Sequence, residues 1–428
     1  MRLKLLFLFS VCALIFSCQK EIHNPPFIKI YSPLENTLVD IGDTLNVSGT
    51  ISSNTPITYV KIALLTTGYL QVCPAITLYP NTQNYSLNAE YIISNTSIES
   101  GVYYLYIEAS NDYEKSSKYI KLAVSGIPKK SLCVIAFCHE KAKNDVKIFK
   151  VDSLLNSSLF KQLPKDFKGG AVNSKEQIIF SMGHYKGNLY SIDAESGIIT
   201  NQINAIINPP FPYFESISYT NNLLLVGYYD GKIQGFYENG NLKFVYSVDN
   251  CRLKHARFDG TYILAVLEHF TGAYYYTGLI YEMSGLLKGK IQTNYKIIDL
   301  FSVNQNDVVL FCNASSQPSV RTLNKNTMVI THLKNLPDGQ IKSVAQINNQ
   351  NFLISHSDGL YVYSFTNNTY SKIGSTSLSG EVLFDSIDNL IYMSDGKKLY
   401  SFSYPSGNQL GTTELPDSIK KIEILYNK

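Results

Sequence analysis

Four histidines, His139, His184, His269 and His356, each close a short apolar segment. Histidines at matched positions are what a zinc centre would use, with each nitrogen about 2.0–2.1 Å from one ion. Four carboxylates, Glu215, Asp299, Glu381 and Asp385, fall in other short segments. A pair of them at a suitable separation would hydrolyse a glycosidic bond. Cys73, Cys133, Cys138, Cys251 and Cys312 are odd in number and irregular in spacing, which is no disulfide framework. Cys133 and Cys138 lie on one expected strand and point to opposite faces, so no bridge joins them. The thiols sit in apolar segments, where a nucleophilic thiolate is disfavoured. No GxSxG elbow, HExxH pair or phosphate-cradling glycine loop stands in a convincing context.

Tyrosines offer recognition rather than catalysis. Tyr228 and Tyr229 end an apolar segment, and Tyr274-Tyr275-Tyr276 sit in an enlarged loop after His269. The insertion Asn208-Pro209-Pro210-Phe211-Pro212-Tyr213 enters on the same side. Tyrosine combines a large stiff ring with a polar tip, which suits protein or sugar binding. Tyr228, Tyr229, His269 and Tyr275 are therefore the binding candidates. The chain has 32 tyrosines, and the codon bias of an AT-rich genome accounts for most of them.

The elements that position these residues read as β throughout. From residue 131 onward a pattern recurs about every 40 residues, the mark of one supersecondary unit stacked many times. Each unit has a short first strand, a strongly apolar second, a glycine turn, a third with tyrosines and a weaker fourth. The second strands include 178–182, 223–227, 263–267 and 308–312. Turns such as Tyr229-Asp230-Gly231, Ser357-Asp358-Gly359 and Ser394-Asp395-Gly396 follow them. Asp-Gly between apolar runs is a strong hairpin signal. Seven units result, and four-stranded units at this spacing form the blades of a β-propeller. The first unit lacks its own first strand. The final segment, Ile419 to Leu425, matches Ile341 to Ile347 in pattern and is expected to supply it.

This geometry bears on the chemistry. Second strands sit away from the propeller axis, so the four histidines stand too far apart to share an ion. No metal or cofactor is expected. First strands line the central channel, so the carboxylates there contact water. Only Arg2, Arg252, Arg257 and Arg321 carry guanidinium groups, and no basic stripe exists, which argues against nucleic acid.

The units over residues 131–428 resemble the WD40-like and YVTN-like propellers, although neither the Trp-Asp pair nor the YVTN tetrapeptide occurs. Residues 27–126 hold Ser32-Pro33, Gly42-Asp43-Thr44-Leu45-Asn46-Val47 and the run Gly101 to Ala109. They resemble bacterial immunoglobulin-like modules and imply a β-sandwich. At the start, Arg2 and Lys4 precede an apolar run that is too short for the roughly twenty residues of a membrane-spanning helix. Ile15-Phe16-Ser17-Cys18 then resembles a bacterial lipobox. The resemblance implies a signal peptide over residues 1–17, lipid on Cys18 and a tether over 18–26. Gln19-Lys20-Glu21 partly resembles the export tag of Bacteroidetes surface lipoproteins. Asp43-Thr44-Leu45, Asp152-Ser153-Leu154, Asp385-Ser386-Ile387 and Asp417-Ser418-Ile419 resemble the O-glycosylation signal of the same bacteria.

The expected protein is an all-β, lipid-anchored outer-membrane protein exposed at the cell surface. Its propeller would bind a protein or glycan partner without catalysis. One alternative is a propeller enzyme acting on glycans or a quinone-dependent dehydrogenase. That alternative requires charged residues converging at the channel mouth, and the sequence displays no compact cluster of them. Another alternative is a structural subunit of a secretion or gliding apparatus.

Overall fold

The computed structural model describes residues 24–140, 142–208, 210–220, 222–237, 240–314, 317–374 and 376–428. Cys18, the signal peptide and all but the end of the tether lie outside them. The chain divides into two units, Met1–Pro128 and Lys129–Lys428.

The N-terminal unit is one seven-stranded sheet. Its main path runs Phe27–Ser32, Thr44–Leu65, Gly101–Asn111, Lys115–Ser125 and Thr37–Asp40. Strands Ile76–Leu78 and Thr82–Ile92 also pair with Thr44–Leu65. The sequence reads as separate strands at 44–51 and 58–65, yet Thr44–Leu65 is one strand of 22 residues. Its register shifts between Ser52 and Ile57, where Pro56 has no N–H to offer a ladder. Such an irregularity bends a strand without ending it. The first half pairs with Phe27–Ser32 and most of Thr82–Ile92, the second with Ile76–Leu78 and Gly101–Asn111. The sheet thus wraps around Val47, Ile51, Ile62, Leu105 and Leu122. Full burial of each such side chain contributes about 1.5–3 kcal/mol.

The second unit is a seven-bladed propeller of four-stranded sheets. Blade two is typical, with Gly169–Asn173 innermost, then Ile178–Met182, Leu189–Asp193 and Ile199–Ile203. Second strands are apolar because neighbouring blades cover both their faces. Leu223–Tyr228 is buried at every residue, whereas the outer strand Ile199–Ile203 is mostly exposed. The cores lie between blades. Val134, Ala136 and Cys138 pack towards blade seven, and Ile135, Phe137 and Cys133 towards blade two. Cys133 and Cys138 accordingly point to opposite faces, and all five described thiols are free.

The final strand, Ile419–Tyr426, is the inner strand of blade one. Ile422 pairs with Ala136 and Ile424 with Val134. The ring is therefore closed by backbone hydrogen bonds between its two ends, which covers the edge that blade one would otherwise leave open. Inner strands need partners for the N–H groups on their free edge, and side chains of adjacent blades supply several. Thr220 Oγ1 accepts from the Phe258 N–H at 3.1 Å, and Glu381 Oε2 from the Ile422 N–H at 2.7 Å. Ser174 Oγ accepts from the Tyr426 N–H at 3.0 Å.

Candidate functional site

A pocket forms where three polypeptide segments meet on blade three. Tyr228 ends the second strand, and Tyr229-Asp230 turn into the third. Gly231 completes the turn with φ of 89°. A Cβ there would stand 2.5 Å from the Cys251 carbonyl oxygen, so only glycine fits. The insertion before blade three is held by main-chain bonds. The Phe211 N–H donates to the Asn208 carbonyl at 3.0 Å, and the Tyr213 N–H to His184 at 2.8 Å. The Tyr229 N–H donates to the Tyr213 carbonyl at 3.1 Å, which ties turn to insertion. From blade four, the Phe270 N–H donates to the Asn250 carbonyl at 2.9 Å.

Ile206, Phe211, Tyr213, Tyr228, Tyr229 and Phe270 supply the apolar walls of a cavity of about 460 Å³. Asn208 and Asp230 bring polar groups to its lining. The rings brace one another. Phe211 and Tyr229 lie 5.6 Å apart, and Tyr213 meets Tyr228 edge-on at 5.2 Å. Tyr228 is buried, and its hydroxyl donates to the Gln234 side chain. Burial, followed by Tyr213 and Asp230, pushes its phenol above the ordinary value and keeps it neutral. Phe211 and Phe270 remain 50% and 40% exposed, so part of each ring is open to a partner.

Of the residues singled out from sequence, Tyr228 and Tyr229 line this cavity. Tyr275 opens the strand Tyr275–Tyr281 instead of lying in the expected loop, and it reaches the cavity indirectly. Its hydroxyl donates to Glu268 at 3.2 Å, Glu268 accepts from Arg252 Nε at 3.1 Å, and Arg252 lies over Tyr229. His269 stands outside the walls, with Nδ1 2.8 Å from Thr271 Oγ1. Sequence reasoning missed its neighbour Phe270. The usable signal was an exposed aromatic in a turn, adjacent to a histidine at a strand end.

The channel also gathers charge, contrary to the expectation of scattered groups. Lys168 and Lys254 both contact Glu215, and Lys254 continues to Glu268 at 3.3 Å. Arg257 binds Asp299 through two bonds of 2.8 and 2.7 Å. Burial pushes the Asp299 carboxyl up, but Arg257 and then His255 outweigh it and hold it well below the usual range. Lys421 bridges Glu381 and Glu423. Burial opposes its charge, yet those carboxylates keep the ammonium above its ordinary pKa. Asp385 is buried apart from this group and accepts from the Ile387 N–H.

This arrangement does not resemble a hydrolytic pair. A general acid needs a carboxyl with an oxygen free for the substrate and a raised pKa. Glu215 and Asp299 are held below the ordinary range. Burial raises the Glu381 carboxyl above its ordinary value, but both its oxygens are engaged, one by Lys421 and one by the Ile422 amide. The four strand-end histidines are each tied locally: His139 to the Asp145 carbonyl, His184 to Phe214, His269 to Thr271 and His356 to Asp358. Among the described residues no three His, Cys, Asp or Glu side chains converge as a metal set.

No protein-family model matches the chain, and no curated protein matches its sequence. Solved structures do resemble it. A functionally unknown protein from Desulfotomaculum acetoxidans is 13% identical with a TM-score of 0.49, over 68% of this chain and 98% of its own. Sqt1 from Saccharomyces cerevisiae is 12% identical with a TM-score of 0.48, over 68% and 88%. The Dos1 propeller is 12% identical with a TM-score of 0.44, over 59% and 72%. The propeller assignment rests on the strand pairing of this chain itself.

Proposed function

We propose that this chain is a non-catalytic, lipid-anchored protein of the cell envelope whose propeller holds a protein partner. The partner would seat a bulky apolar side chain in the pocket of Phe211, Tyr213, Tyr229 and Phe270. The observation that carries this reading is a concave aromatic pocket whose three wall segments are fixed by main-chain hydrogen bonds. Binding energy concentrates in such preformed aromatic pockets, and their rigidity lowers the entropic cost of association. The lining is dominated by carbon, which favours a protein side chain over a glycan. Cys18 would carry the lipid, residues 27–126 would be an immunoglobulin-like module, and the protein would face outward from the outer membrane. These last points rest on the resemblances of the leader and the N-terminal sequence.

The test is purification of tagged protein from detergent-solubilised membranes of the source cells. Wild type should bring down one partner in stoichiometric amount, and Tyr229→Ala should lose it. A partner retained at full yield by Tyr229→Ala would sink the pocket assignment. Recovery of Cys18→Ala from membranes, rather than from the soluble fraction, would sink the lipid anchor.

A further inference from the structure

The N-terminal unit carries a second aromatic surface, on the sheet face turned from its core. Alternation along Gly101–Asn111 sends Leu105 and Ile107 inward and Tyr104, Tyr106 and Glu108 outward. Tyr106 stands opposite Tyr119, Tyr104 opposite Lys121, and Glu108 opposite Lys61. Tyr69 joins them from the turn after the long strand. Its ring lies 6.0 Å from Tyr104 with only 9° between planes, and meets Tyr119 edge-on at 5.6 Å. Tyr119 lies 5.1 Å from Tyr106.

Two features separate this patch from ordinary surface. Tyr69 has φ of 63° and is 63% exposed. A bulky residue in the left-handed region is costly, and glycine or asparagine would serve the turn better. The turn is nevertheless fixed, since Thr66 Oγ1 accepts from the Leu70 N–H at 3.1 Å and Thr66 O from the Tyr69 N–H at 2.9 Å. The ring is thus displayed at an energetic cost. Second, the phenols divide. Tyr59 and Tyr106 donate to Glu108. The hydroxyls of Tyr69, Tyr104 and Tyr119 find no partner among the described residues.

Charge on this face favours an anion. Lys61, Lys115 and Lys121 stand on the same face, opposite Glu108, Ser110 and Tyr104 respectively. Glu108 is committed to two phenols and lies 3.9 Å from Lys115, while Glu35 accepts the Lys121 main-chain N–H at the strand edge. Three lysines thus share this face with two carboxylates. Lys115 is the one that pairs with Glu108 and also lies over the Tyr59 ring, which leaves Lys61 and Lys121 without an ion pair among the described residues. Flat exposed rings stack on the apolar face of a pyranose, phenols bond its hydroxyls, and lysines pair with a carboxylate.

We propose that this face binds a polysaccharide containing uronic acids. The surface is distinct from the propeller pocket and does not depend on its function. The probes are polygalacturonate, alginate and hyaluronan, with methyl-esterified polygalacturonate as the neutral control, in affinity electrophoresis of the whole mature protein. At least one acidic polymer should retard the protein, and the esterified polymer should do so at least tenfold less. Tyr119→Ala and Tyr69→Ala, both at exposed rings, should each weaken retardation at least fivefold. Lys121→Gln should weaken it and flatten its salt dependence. Tyr229→Ala should leave it unchanged. Retardation by none of the three acidic polymers would overturn the proposal. So would retardation that survives Tyr119→Ala and Tyr69→Ala, because charge alone would then explain it.

Discussion

The Arg252 guanidinium lies 5.0 Å from the centre of the Tyr229 ring, and through it the aromatic pocket meets the charged channel. Arg252 also binds Glu268, which receives the Tyr275 hydroxyl and lies 3.3 Å from Lys254. The wall of the pocket is therefore braced from behind by an ion network of blade four, which Lys254 extends to Glu215 of blade three. A braced wall is what a preformed binding pocket requires.

Tyr229→Ala should weaken partner binding at least tenfold, or roughly 1.4 kcal/mol or more. Its ring is half-buried, so thermal stability should change little. Surface plasmon resonance with the purified partner and a melting curve on the same sample check both halves.

Gly231→Ala should destabilise the propeller by about 2–4 kcal/mol, since alanine resists a positive φ and its methyl would crowd a main-chain oxygen. The distance involved is 2.5 Å, to the Cys251 carbonyl. A fall in the thermal midpoint with unchanged far-ultraviolet circular dichroism is the expected result. Gly272→Ala is the control, because a Cβ there meets nothing within 4 Å even though its φ of 73° is also positive. The difference between the two variants isolates the crowding.

Asp299 makes stability depend on pH. Its carboxyl titrates lower in the folded protein than in the unfolded chain. The stability it contributes is then fully present above the unfolded value and is lost as pH falls through the folded one. Asp299→Asn should flatten the decline of stability below about pH 5, the upper end of ordinary carboxylate titration. Denaturant midpoints at several acidic pH values measure the slope.

Ile422→Ala should cost about 2–5 kcal/mol, because the side chain is wholly buried at the seam that closes the ring. Ile199→Ala, on the exposed outer strand of blade two, should stay within about 0.5 kcal/mol. Equal effects at both positions would contradict the closure.

The propeller was legible in the sequence because its signals are local. An apolar second strand, an Asp-Gly turn and a roughly 40-residue period can be read without knowing what touches what. Closure was legible because the first unit lacked a strand and the last segment had one to spare. Glycines at 231, 272, 359 and 396 adopt the positive φ that hairpin chemistry implies. Gly187 is needed for another reason, since a Cβ would stand 2.7 Å from the Gly183 Cα. The long strand Thr44–Leu65 read as two because Pro56 looks like an ending, and only its partners keep the strand together. The channel charges were invisible for a related reason. Lys168, Glu215 and Lys254 come from three places in the chain, and only the stacking of blades unites them. The pocket was half legible. Tyr228, Tyr229 and the insertion are neighbours in a recognisable loop face, but whether His269 or Phe270 points inward depends on the exact end of a strand.

The central claim is that a protein partner sits against the blade-three pocket. Photo-crosslinking in source cells tests it most directly, with p-benzoylphenylalanine placed at Phe211 or, as control, at the outer-strand residue Ile199. One discrete protein adduct at Phe211, absent at Ile199 and abolished by Tyr229→Ala, is the predicted outcome. No adduct at Phe211, or the same adducts at both positions, would contradict it.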